Sequence, residues 1–200
     1  MTRRAVIIDD SLGSRATLST ALMRLRFDVA GVGASAQEAI HLAQELKPDV
    51  LFLAVGLPEM DGVSAAAQIL DAHPLPIIIL SRRHDPELIQ RAKEAGVMAY
   101  LVKPLREEEL LPAIELAVSR FDEFTALRKE NEDLKRTLEG RKLIERAKGV
   151  LMEREKISEQ QAFAKIQKAS MNTRRSMVDI AKAILLTEEV AGKDTQSSRG

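Results

Sequence analysis

Five short apolar runs recur along the first 120 residues: Ala5–Ile8, Val29–Val32, Val50–Leu53, Ile77–Leu80 and Ala99–Val102. Most are rich in Val, Ile and Leu without polar alternation, the pattern of strands covered on both faces. Helical segments lie between them. Ser35-Ala36-Gln37-Glu38 is a capping box, and Asp85-Pro86-Glu87 opens another helix with proline at its first position. Five strand–helix units imply a doubly wound, five-stranded parallel sheet, because each parallel return needs a crossover. On such a sheet, chemistry sits at the carboxyl ends of the strands.

The polar residues at those ends are Asp9 and Asp10 after the first run, Ser81 after the fourth and Lys103 after the fifth, with Tyr100 three residues before the lysine. Paired carboxylates suit Mg²⁺, and a lysine with a hydroxyl suits phosphoryl oxygens. Any one of them alone reads as a solvated strand end; together they point to one site.

Residues 1–120 resemble the receiver domain of two-component response regulators, a flavodoxin-like fold. The resemblance rests on Asp9-Asp10, Leu57-Pro58-Glu59-Met60-Asp61-Gly62, Ser81 and Tyr100-Leu101-Val102-Lys103-Pro104. It implies an acidic pocket of Asp9, Asp10, Ser81 and Lys103, with Tyr100 as a switch aromatic. One position departs: Ala54 stands where receivers carry the phosphoaccepting aspartate. A methyl group neither attacks phosphorus nor ligates a metal, so the aspartyl-phosphate is not expected and Mg²⁺ on Asp9 and Asp10 is weakened. Asp49, about 16 Å upstream along an extended strand, lies at the wrong end of the sheet. Asp61 belongs to the following loop. Either Ala54 marks a natural pseudo-receiver or it is an Asp→Ala exchange that blocks phosphorylation.

From Glu107 to Glu139 the chain has no glycine and only Pro112. Beyond Ser119 a heptad places Phe124, Asn131 and Leu138 at a and Leu127 and Leu134 at d, with the lone Asn able to fix register in a parallel pair. Residues 121–143 are expected to form a helical coiled-coil linker and a homodimer seam. A single helix packed on its own receiver is the alternative.

Charge is unevenly spread. The whole chain balances 30 basic against 30 acidic residues, yet residues 141–200 hold 13 basic and 8 acidic ones, which places any polyanion at that end. Ser158 with Gln161 is a further capping box, followed by an apolar face of Ala162, Phe163, Ile166 and Ala169. After a break at Met171-Asn172-Thr173, Met177, Ile180, Ala181, Ile184 and Leu185 recur at helical spacing. An all-α three-helix bundle is expected over residues 144–189, then a disordered tail over 190–200. Phe163 is the only aromatic there and its spacing assigns it to the core, which argues against a base-stacking platform. The residues themselves leave DNA and RNA open, since Asn172-Thr173-Arg174-Arg175-Ser176 suits the start of a reading helix.

This segment resembles the ANTAR domain, an RNA-binding antitermination module of some response regulators. The motifs are Ala147-Lys148-Gly149-Val150-Leu151-Met152, Ser158-Glu159-Gln160-Gln161-Ala162-Phe163, and Ala169-Ser170-Met171-Asn172-Thr173-Arg174-Arg175. The resemblance implies binding of RNA hairpins in leader transcripts, with Lys148, Arg174 and Arg175 as candidate contacts. Ala147, Gly149, Leu151, Met152, Ala162 and Phe163 are assigned to packing. A sensor histidine kinase or a regulatory binding protein is the implied source of the signal, and a DNA-binding two-component regulator is the alternative reading.

With no cysteine and three scattered histidines, the chain excludes disulfide scaffolds and thiolate chemistry. No P-loop, dinucleotide fingerprint or metal triad is present, so an enzyme is not expected; no cofactor is required, and the acidic pocket is the one place that could take Mg²⁺. No apolar run reaches membrane-spanning length, and Met1–Asp10 lacks a signal-peptide core. The expected location is the cytoplasm, without membrane contact.

Overall fold

The computed structural model describes residues 2–197. Five strands and five helices alternate at first: β1 (Arg4–Ile8), α1 (Leu12–Arg24), β2 (Asp28–Gly33), α2 (Ala36–Leu46), β3 (Val50–Ala54), α3 (Gly62–Ala72), β4 (Ile77–Ser81), α4 (Pro86–Glu94), β5 (Ala99–Val102) and α5 (Glu107–Glu155). All strand pairings are parallel, in the order β2-β1-β3-β4-β5. Alternate residues of each run serve opposite faces, which explains why the runs are continuously apolar. Val6, Ile8, Leu51, Leu53, Ile77 and Ile79 pack toward residues of α2 and α3. Ala5, Ile7, Phe52, Ile78 and Leu80 join a second cluster with Leu18 and Leu22 of α1 and Leu110 and Ile114 of α5. β3 and β4 are buried along their whole length.

Local chemistry sets the helix starts. Ser35 and Glu38 satisfy one another's backbone amides as a complete capping box, and the Asp85 carboxylate accepts the Glu87 and Leu88 N–H groups, with Pro86 at the first position. Gly62 is required by a close approach: a Cβ there would lie 2.0 Å from the Ala54 carbonyl oxygen. That contact seats the start of α3 on the end of β3.

The chain divides into two compact units, 1–126 and 127–200. Helix α5 is a single 49-residue element, so the expected linker and the first helix of the C-terminal unit are one uninterrupted helix. In the second unit the C-terminal part of α5 packs with α6 (Glu159–Thr173) and α7 (Met177–Ser197) around buried Ala147, Leu151, Ala162, Ile166 and Ala181. Gly140 is buried, and a Cβ there would come within 3.0 Å of Val178 Cγ2.

Three expectations about this unit are corrected. Phe163 is 43% exposed and Met152 37%, so neither belongs to the core. Only Ala162 and Ile166 of α6 are fully buried, and Phe163, about 100° round the helix from Ala162, falls outside that stripe. The break between α6 and α7 falls at Arg174–Ser176 rather than at Met171–Thr173, with the Ser176 hydroxyl accepting the Asp179 N–H at 3.1 Å. Finally, α7 continues through Ser197, where a disordered tail was expected from residue 190. Once a helix is nucleated, each added residue gains a backbone bond, and no proline interrupts this stretch. The end of that expected tail, 198–200, lies outside the described residues.

Candidate functional site

Asp9 follows β1 directly and is fully buried; its N–H donates to the Gly33 carbonyl at 3.0 Å and its Oδ1 accepts the Ser11 N–H at 3.1 Å. Its Oδ2 accepts the ammonium of Lys103, which also reaches the Ser14 hydroxyl at 3.4 Å. An ion pair so enclosed is held by geometry, and removing one member would strand the other charge. Asp10 is turned the other way, with Arg82 Nη2 at 3.1 and 3.0 Å from its two carboxylate oxygens.

Ser81 ends β4 and is 6% exposed. Its hydroxyl donates to the Arg83 carbonyl at 2.8 Å and accepts the Arg83 N–H at 3.2 Å, while the Tyr100 hydroxyl donates to the same carbonyl at 2.7 Å. Ala54 ends β3 and lines a small cavity of about 180 Å³ together with Asp10, Ser81, Arg82, Arg83 and Lys103. Asp9 and Lys103 also border a larger cleft of about 650 Å³ between α1 and the start of α5. The sequence-predicted pocket residues therefore gather at one edge of the sheet. Arg82 and Arg83 were missed, although their place immediately after a strand-ending serine was the signal that could have found them.

No neighbouring carboxylate substitutes for the missing one. Asp49 accepts the Arg4 N–H at 2.6 Å, at the amino end of the sheet. Asp61 caps α3: burial pushes its carboxyl up, but the Ser64 hydroxyl and N–H and the Arg91 guanidinium outweigh that and leave it below the usual range. The donor set does not fit Mg²⁺, because its two carboxylates already hold cations of the chain itself and the Ala54 side chain offers no oxygen. Among the described residues no group of three or more histidines and carboxylates is placed to hold a metal ion.

In the C-terminal unit the three candidate contacts fall in different environments. Lys148 is only 7% exposed, its ammonium 2.8 Å from Glu145 and 2.6 Å from Glu159. The hydrogen bonds that its ammonium donates to Glu145 and then to Glu159 hold its pKa above the ordinary 10.5, and the contact with Lys148 holds Glu159 below 4.5. Lys148 thus staples α5 to the first turn of α6 rather than facing solvent. Glu145 lies three positions away at helical spacing, whereas Glu159 lies eleven away on the next helix. Arg174 caps α6 in the left-handed conformation (φ 54°), and the Arg175 N–H donates to Ser170 at 3.2 Å. Both side chains are exposed, and among the described residues neither joins an ion pair. Exposed Lys168 and Lys182 belong to the same two helices.

The Lys148–Glu159 pair predicts a pH signature. The stabilisation from Glu159 is complete above its ordinary 4.5 and fades as acid protonates the lowered group; that from Lys148 is complete below 10.5 and fades as base removes its raised proton. Lys148→Met is therefore expected to lower the stability of the C-terminal unit between those values and to reduce its acid dependence. Urea unfolding across pH, followed by circular dichroism, measures both.

On α5, Phe124, Leu127, Leu134 and Leu138 are 51–66% exposed, and Asn131 is exposed among them. No helix of the described residues is long and apolar enough to cross a membrane.

Comparison with known proteins divides the chain in the same way. Residues 5–115 match the response regulator receiver domain and residues 132–185 match the ANTAR domain. Transcriptional regulatory protein PdtaR of Mycobacterium tuberculosis is 42% identical over 185 residues, covering 92% of this chain and 90% of that protein. Chemotaxis protein CheY of Thermotoga maritima is 30% identical over 115 residues, 57% of this chain and 96% of that one. Among solved structures, the signal receiver domain of a modulated diguanylate cyclase from Desulfovibrio desulfuricans G20 superposes with a TM-score of 0.57 at 33% identity, covering 61% of this chain and 98% of that domain.

Proposed function

This chain belongs to the response regulators that join a receiver domain to an ANTAR domain, and from that membership we propose that it is a transcription antiterminator whose C-terminal unit grips RNA stem-loops in leader transcripts. Holding such a hairpin keeps the competing terminator from forming, so the polymerase reads through. The observation that carries the reading is the pair of exposed guanidinium groups, Arg174 and Arg175, on the turn between α6 and α7 of the ANTAR segment. Guanidinium groups pair with phosphate oxygens, and the left-handed cap at Arg174 defines where the turn presents them. Lys148 is reassigned to a positioning role, holding α6 against α5.

The protein works as a homodimer through Phe124, Leu127, Asn131, Leu134 and Leu138. Two tips on one coiled coil raise the effective concentration for two hairpins of one transcript. The receiver governs access to the tips. With Ala54 at the end of β3 its input is a binding protein or small ligand, and a histidine kinase has no aspartate to phosphorylate at that position. Catalysis has no part in the reading.

Fluorescence anisotropy with a two-hairpin leader RNA, competed by duplex DNA, tests it. Arg174→Ala with Arg175→Ala is expected to weaken hairpin binding about tenfold or more and to reduce the salt slope by roughly one per lost phosphate contact. Alanine in the left-handed cap is no worse placed than arginine, so the helical content stays intact. Equal affinity across a salt series removes these residues from the interface, and preference for duplex DNA replaces the RNA reading with a DNA-binding regulator.

A further inference from the structure

The receiver pocket neutralises itself. Two carboxylates face the carboxyl edge of the sheet, and each already has a cation at hydrogen-bond distance: Lys103 on Asp9, and Arg82 on both oxygens of Asp10 at 3.1 and 3.0 Å. Arg82 does not arrive on a loose loop. The next residue is pinned by three hydrogen bonds, two with Ser81 and one from the Tyr100 hydroxyl, at 2.7–3.2 Å. A hard divalent ion needs oxygen ligands with their charge unspent. Here it would have to expel two cations from the two carboxylates, and Ala54 supplies no third oxygen.

We propose that Arg82 is the resident counter-ion of this pocket, occupying the carboxylate that a divalent metal would require and making the receiver a metal-independent ion-pair lock between the ends of β1 and β4. Lys103 ties the end of β5 into the same lock through Asp9. The loop from Ser81 to Asp85 is thereby anchored to β1 by charge rather than through a bound metal. This lock concerns the receiver alone, so it stands or falls separately from RNA recognition.

The experiment is calorimetric titration of the full chain with MgCl₂ in four forms: unaltered, Arg82→Ala, Ala54→Asp, and Ala54→Asp with Arg82→Ala. The unaltered chain is expected to give no saturable heat across the millimolar range. Ala54→Asp restores a third carboxylate but keeps the lock, so it binds weakly. Removing Arg82 from that variant is expected to tighten Mg²⁺ at least tenfold. Equal affinity of Ala54→Asp with and without Arg82 overturns the proposal, as does saturable Mg²⁺ binding by the unaltered chain that Arg82→Ala leaves unchanged. The Arg82 side chain is 69% exposed, so its truncation spares the core. Thermal melts of all four forms verify folding, and Arg82→Gln provides the milder variant, for which the same tightening is expected.

Discussion

Ile166→Ala is expected to unfold the C-terminal unit under conditions in which the receiver stays intact. Ile166 is fully buried beside Ala147, Leu151, Ala162 and Ala181, with Leu143, Ile144, Ile157, Met177, Ile180, Ile184 and Leu185 packed around them. It therefore contributes most of the branched volume on α6. Truncating a buried isoleucine costs about 2–5 kcal/mol, while small units of this kind have only about 3–5 kcal/mol in total. Differential scanning calorimetry should show loss or strong lowering of one transition and retention of the other. Hairpin affinity should disappear with it. Two unchanged transitions would mean that the unit is held by something other than this core.

Leu127→Gln with Leu134→Gln is expected to convert a dimer into a monomer. Both leucines are more than 60% exposed on α5, at successive d positions of the heptad. Burying a leucine side chain is worth about 1.5–3 kcal/mol, and a symmetric pair loses four of them, so dimer affinity should fall more than a hundredfold. Sedimentation velocity at tens of micromolar distinguishes the two states. The same variant should bind a two-hairpin RNA about as tightly as one hairpin, because the gain from linkage is lost. Should the unaltered chain already sediment as a monomer, the exposed leucines belong to some other contact. Asn131→Leu makes the complementary case: added apolar area with loss of the polar residue that selects register.

Much of the fold was legible because it is written locally. A run such as Ile77–Leu80, apolar at every position, identifies a strand covered on both faces. Ser35 with Glu38 and Ser158 with Gln161 mark helix starts because each pair satisfies its own backbone amides. The pocket followed from strand ends, since Asp9, Ser81 and Lys103 each end or immediately follow an apolar strand. Phe163 went the other way. Helical spacing identifies which residues share a face, but the width of the buried stripe depends on how closely the helices approach. On α6 the fully buried stripe is only Ala162 and Ile166, and Phe163 lies just outside it.

Charge partners were the least legible feature. Lys148 lies in a basic stretch and reads as a candidate phosphate contact, yet Glu145 and Glu159 already hold it. Arg82 has no partner close in sequence, yet it meets Asp10 across 72 positions. Pairing energies change over a few ångströms, and such distances are set only when separate elements are packed together. By itself the order of residues determined the strand and helix pattern, the caps, the polar strand ends and the missing carboxylate at position 54, because each depends on backbone geometry and immediate neighbours. Only the tertiary arrangement decided which cations remain exposed at the α6–α7 turn and which are consumed within the chain, because that depends on the meeting of side chains remote in sequence.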